Sequence, residues 1–212
     1  MQPHTDARVA LLSRLLDHAP LFPPASLALE DAVAEDERAR ASRAAFMLGR
    51  FVCPASRLAE LPDVGRGVSV VLDGPLPTGP SVQAVEVRGD ELATLSVLAP
   101  EVYVEVPLDG GFDERLDAVR AHGFRAKVRC GGATTPDTEA LAAFVGGCRA
   151  RDLAFKANPA AFELDANAFS WRDRSASTDE LTLARRNRFH SIGSCSFFEP
   201  VEELEALGVL PL

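Results

Sequence analysis

"EVYVEVPLDGGFDERLDAVRAHGFRAKVRCGG", residues 101–132, holds one strand–helix–strand unit, and its reading sets the class of the fold. Its first run, "EVYVEVPL" (101–108), is β-branched and apolar with interspersed polar positions. "DERLDAVRAHG" then places Leu116 and Val119 on one helical face, starts at Asp113 and ends at Gly123, a residue suited to the left-handed turn past a helix. "FRAKVRC" (124–130) is apolar again apart from its cations. Strands joined through a helix pair in parallel by a right-handed crossover.

The alternation extends both ways. "FMLGRFV" (46–52), "VSVVLDG" (68–74) and "SVQAVEVRG" (81–89) precede the unit; "LAFKANP" (153–159) and "HSIGSCSFF" (190–198) follow it. Pro136 opens a helix with Leu141, Phe144, Val145 and Cys148 on one face, and Ser177 with Glu180 forms a capping box for "DELTLARRNR". Pro200 opens a last helix that ends at Gly208. Before residue 46 the spacing predicts two helices. The first carries Val9, Leu12, Leu15 and Leu16 after a Thr5 cap; the second begins near Ser26, with a mixed charge run that reads as a solvated face.

A single α/β domain over residues 1–212 follows, with helices to residue 45 and alternating strands and helices over 46–212. Six or seven strands of this kind imply a β/α barrel of the TIM type with fewer than eight strands, since complete barrels usually take about 250 residues. An open, doubly wound parallel sheet is the alternative. No G-x-G-x-x-G or G-x-x-x-x-G-K-[ST] follows any strand, so both nucleotide-binding fingerprints are missing.

The formal charge of −9 argues against binding a nucleic-acid backbone. "MQPHTDAR" has no secretion-signal pattern, and no apolar run nears the roughly 18 residues of a spanning helix, so the expectation is a cytoplasmic protein off the membrane. Cys53, Cys130, Cys148 and Cys195 form no C-x-x-C pair, and no H-x-H or H-x-x-x-H pair occurs. Neither a cofactor nor a transition metal is expected.

The polar residues inside the strands carry the candidate chemistry. Residues two apart on a strand share a face, so Tyr103 with Glu105 and Lys127 with Arg129 point together, and Lys156 joins them from the next strand. In a barrel these positions meet at the C-terminal mouth. Lys156, Lys127 and Glu105 form the candidate catalytic set: a lysine nucleophile making a Schiff base with a carbonyl substrate, and a carboxylate moving the proton. Arg129 would clamp a carboxylate or phosphate. The layout resembles that of class I aldolases, which points to lyase chemistry on a small anionic or carbonyl substrate. Two other expectations stand beside it: a non-catalytic relative that binds a ligand or partner and uses its lysines to neutralise Glu105, and a metal-assisted enzyme built on Asp73, Glu86 and Glu105.

Asp73 ends the second strand run, and "SIGSCSFFEP" places Ser194 and Cys195 between a strand and a helix, where free amides favour an anion. These three complete the expected substrate-binding set. An extended strand holds His190 away from Cys195, which favours a tight turn over a cysteine nucleophile.

The motifs "LLDHAPLFPPASL", "FMLGRFVCPASRLAEL", "AKVRCGG", "AFKAN" and "SIGSCSFFEPVEELEALGVL" together resemble an uncharacterised family of bacterial proteins that shares "LFPPA", "MLGRFV-PASRL", "K-R-GG" and "GSCSF-EP". The resemblance implies a barrel-like α/β fold. Members of that family follow the "FK" strand with a histidine-containing "TAGLHHP"-like segment. Here "ANPAAFELDANAFSWRDR" stands instead, which implies a shortened relative with altered or lost activity, or one that pairs an opened sheet edge with a second copy.

Overall fold

A computed structural model describes residues 6–75, 82–88, 92, 100–130, 136–156, 163–164, 168–171 and 174–210. The seven strand runs appear as β2 (Leu48–Pro54), β3 (Val68–Val71), β4 (Val82–Arg88), β5 (Glu101–Glu105), β6 (Arg125–Lys127), β7 (Phe155–Lys156) and β11 (Ile192–Ser194). An eighth, β1 (Leu16–His18), lies where the sequence predicts helix. All eight are parallel, in the order β11-β1-β2-β3-β4-β5-β6-β7. Neighbours follow the chain without reversal, which excludes the doubly wound alternative. The two ends of the sheet approach where Phe155 bridges Phe189, with Phe155 N donating to Arg188 O at 2.7 Å and His190 N to Phe155 O at 3.0 Å. The result is a nearly closed, TIM-like barrel with one unsealed seam.

Eight strands fit into 212 residues because not every crossover is a helix. Only a short 3-10 turn, Ala55–Glu60, stands between β2 and β3. Full helices are α1 (Ala7–Leu12), α2 (Leu29–Ala41), α3 (Phe112–Ala121), α4 (Thr138–Ala150), α5 (Thr178–Asn187) and α6 (Phe198–Ala206). The outward faces of β4–β6 bury Val85, Val87, Val102, Val104 and Ala126 against Leu116 and Val119 of α3 and Phe144 and Cys148 of α4. Gly123 terminates the α3 turn at φ 71°, a conformation costly for any side chain. After β7 the described residues include a small antiparallel sheet, β10-β9-β8, of Arg174–Ser177, Ala168–Trp171 and Glu163–Leu164. The two glycines that close "AKVRCGG", at 131 and 132, lie outside the described residues.

Two expectations for the N-terminal region are corrected. The first helix stops at Leu12; Arg14 takes a left-handed conformation (φ 51°) and its N–H donates to Phe46 O, turning the chain into β1. Leu12, Leu15 and Leu16 are all buried, so their helix-like spacing arises from two elements in succession. The charge run of α2 is not wholly solvated either: Asp36 is fully buried, receives Arg66 and lies 3.0 Å from His18 Nδ1, while His18 Nε2 is 3.3 Å from Glu35. His18 thus faces out of β1 and pins α2 to the barrel. Among the described residues no helix is long and apolar enough to cross a membrane.

Candidate functional site

Barrel interiors of this type are usually filled by branched aliphatic side chains; here the inward positions carry charge. The strand parity that sends valines outward sends Asp17, Arg50, Ser69, Glu86, Glu101, Tyr103, Glu105, Lys127 and Lys156 inward, and an uncompensated charge there would cost several kcal/mol, so the pairing is the site's framework.

At the centre, Lys156 donates to Asp17 Oδ2 at 2.6 Å and Glu86 Oε1 at 3.1 Å, and its Nζ lies 4.3 Å from the centre of the Tyr103 ring. Asp17 also accepts from Arg50 N and Ser191 Oγ, both at 2.7 Å, and Glu86 accepts from Ser69 Oγ at 2.7 Å and Lys127 Nζ at 2.6 Å. Burial alone would drive a proton off Lys156; the two carboxylates more than reverse this and hold its pKa above the ordinary lysine value. For Glu86, burial opposes ionisation, and the charges of Lys156 and Lys127 overcome it, leaving its pKa well below the usual range. Lys156 is therefore a firmly held ammonium.

Toward the C-terminal ends of the strands the pairing loosens. Arg129 grips Glu105 through Nε at 2.9 Å and Nη2 at 3.2 Å, with Arg88 Nε at 3.5 Å and Lys127 Nζ at 3.9 Å from the same carboxylate. Side-chain exposure rises from 4% at Lys156 through 22% at Lys127 to 42% at Arg129 and 63% at Arg88, so the array opens to solvent at the mouth. Three cations share Glu105 there.

The structure brings together Glu105, Lys127 and Arg129 as the sequence predicts. Lys156 is level with Lys127 in the ladder but turns to Asp17 and Glu86, residues on β1 and β4. Asp73, two residues past β3, is exposed and accepts from Ser56 N at 2.9 Å and from Ser56 Oγ, an arrangement that fixes the loop after β2. Ser194 Oγ donates to Ser196 O at 2.6 Å, so its hydroxyl closes the turn that carries the half-buried Cys195. Among the described residues no group of three or more His, Cys, Asp or Glu side chains is placed to hold a metal ion: Glu86 and Glu105 are interleaved with cations, and Asp73 is bound to Ser56.

Asp17 is the important residue that sequence reasoning missed. Its one available signal is an acid inside the apolar "LLDH" run, the same pattern that marks Lys127 and Lys156. Gly49 serves it: a Cβ at position 49 would overlap Asp17 Oδ1 and lie 3.0 Å from Leu16 O. Gly49→Ala is expected to destabilise the fold by about 1–3 kcal/mol, read by urea unfolding, because Asp17 cannot yield without leaving Lys156.

At the opposite end, Glu101 accepts from Arg50 Nη2 at 2.7 Å and Tyr103 Oη at 3.0 Å, with Arg125 at 3.4 Å. Tyr103 Oη is 2.6 Å from His190 Nδ1. A phenol has one proton; given to the carboxylate, it leaves the oxygen to accept from His190, so Nδ1 carries the hydrogen and Nε2 is the free acceptor. Burial brings the His190 pKa down to about 4. His190 is thus occupied with Tyr103 rather than with Cys195.

No family model, curated protein or solved structure matches the chain.

Proposed function

We propose that the protein binds a small anionic molecule bearing a carboxylate or phosphate at the C-terminal mouth of the barrel and acts on a carbonyl group in it. The observation behind this is the meeting of Arg88, Lys127 and Arg129 around one carboxylate, Glu105, where the interior opens to solvent. Arg129 offers a planar fork of donors that can exchange Glu105 for a ligand's oxygens, with Arg88 beside it. Because Lys156 is locked as an ammonium, the reacting lysine in a lyase-type reaction is Lys127. Its ammonium passes a proton to Glu105, the freed amine adds to the substrate carbonyl carbon, and water leaves as the imine forms. Lys156 and Glu86 then act by holding Lys127 in position. A non-catalytic ligand-binding protein is the second reading, favoured by the complete pairing of Lys156.

The test is a thermal-shift series with pyruvate, glycolaldehyde and glycolaldehyde phosphate on wild type, Arg129→Ala and Lys127→Met, followed by borohydride trapping and peptide mass mapping. A ligand near a hundred times its Kd adds about 2.7 kcal/mol, which raises Tm by about 5–10 °C at this chain length. The expected result is a shift that weakens in Arg129→Ala and a reduced adduct on Lys127. A shift without an adduct leaves the binding protein standing; no shift with any of the three sinks the mouth as a site for these ligands.

A further inference from the structure

We propose that the N-terminal end of the barrel carries a second, separate site, for a phosphate group, in the cavity between α1, α5 and the starts of β2 and β5. The cavity has a volume of about 280 Å³ and is lined by Arg14, Arg50, Arg185, Arg186 and His190, among others. Four arginines line it against two carboxylates, Asp17 and Glu101.

Neither carboxylate is bonded to Arg14, Arg185 or Arg186. Asp17 is bound to Lys156, and Glu101 is shared between Arg50 and Arg125. Arg185 is taken up by backbone carbonyls, donating to Leu11 O at 2.7 Å and Ser13 O at 2.9 Å and also to Phe189 and His190. Arg14 and Arg186 remain, both exposed, with no side-chain partner among the described residues. Arg50 Nε is buried and has no hydrogen-bond acceptor. In a chain of net charge −9, two unpaired guanidiniums and an orphaned N–H around one cavity call for an anion.

His190 narrows the class. Its Nδ1–H is committed to Tyr103, which leaves Nε2 as an acceptor in a group lining the same cavity. A ligand therefore gains from bringing a hydroxyl donor as well as negative charge. Monohydrogen phosphate has both; sulfate has the charge without the proton. The phosphate is either free or carried on a small hydroxylated ester.

Isothermal titration at low ionic strength and pH 7.5 tests this with inorganic phosphate, sulfate and glycerol phosphate. In an Arg129→Ala background, which removes the mouth as a competing phosphate site, the expected results are phosphate binding, preferred over sulfate by about tenfold and weakened by about tenfold or more on adding Arg14→Ala/Arg186→Ala. Both replaced arginines are exposed, and an unaltered ligand-free Tm checks that the variant is folded. Glycerol phosphate binding tighter than phosphate assigns the ester; the reverse assigns the free ion. The inference is overturned by no phosphate binding, by binding that the double variant retains, or by sulfate binding equally well. Binding abolished only by Arg129→Ala overturns it too, while leaving the mouth intact.

Discussion

Lys156→Met lowers the stability of the fold by about 3–5 kcal/mol, the cost of removing one partner from a buried ion-pair array. Methionine fills much of the volume of the lysine stem, so the loss is electrostatic: Asp17 and Glu86, 2% and 5% exposed, are left facing each other's charge. Glu86 retains Lys127 and Ser69, whereas Asp17 keeps two neutral donors, Arg50 N and Ser191 Oγ, and the longer-range charge of Arg50. With its nearest counter-charge gone, burial raises the Asp17 pKa, so the variant gains relative stability as pH falls and the acid takes up a proton. Wild type behaves oppositely, since its Asp17 and Glu86 pKa values are held low and their stabilisation disappears on acidification. Urea unfolding at several pH values reads both effects; near neutrality Tm should fall by about 6–20 °C. Adding Asp17→Asn and Glu86→Gln to Lys156→Met should recover much of the loss. A drop under about 1 kcal/mol for the single variant would mean the interior is solvated well enough that the array contributes little.

How much of this was legible from sequence follows from the ranges involved. Strands of a parallel sheet are covered on both sides and read as apolar runs, so β2 to β7 and β11 stand out. Within neighbouring strands, parity alone brings Glu105, Lys127 and Arg129 together. β1 escapes because three residues are too short for a period of two to contradict a helical spacing, and "LLDH" follows directly on a real helix. With β1 went Asp17, and with Asp17 the true partner of Lys156. Contacts across a barrel, such as Asp17 or Glu86 to Lys156, depend on the strand count and radius, which no local pattern encodes. Asp36 was hidden for a similar reason: an acid in a run of charges looks solvated until the helix is docked and His18 and Arg66 are seen beneath it. His190 illustrates the reverse problem. That it stands apart from Cys195 is legible in the extended spacing, but its partner Tyr103, 87 positions away, is not.

That placement of His190 gives the second large effect, an acid-sensitive limb lying above the range where carboxylates titrate. Folding lowers the His190 pKa from 6.5 to about 4: burial is the main cause, Glu101 opposes it, and Arg125, Arg185 and Arg50 add to it. Tyr103 faces the ring as a neutral hydrogen-bond partner. Between those two values the unfolded chain binds a proton that the folded protein refuses, so stability rises with pH. The contribution is fully present above pH 6.5 and is lost as pH falls through about 4. At about 1.4 kcal/mol per pH unit, the whole window is worth on the order of 3 kcal/mol. His190→Gln should flatten the dependence of the urea midpoint over this window and leave the steeper loss at lower pH, which belongs to Asp17, Asp36, Glu86 and Glu101, all held below their ordinary values. Parallel curves for the two proteins would show that the imidazole charges as readily folded as unfolded, and would remove the fixed Nδ1–H tautomer with it. Phosphate at the N-terminal cavity should shorten the same limb, because an anion beside the ring offsets the three arginines that keep it neutral.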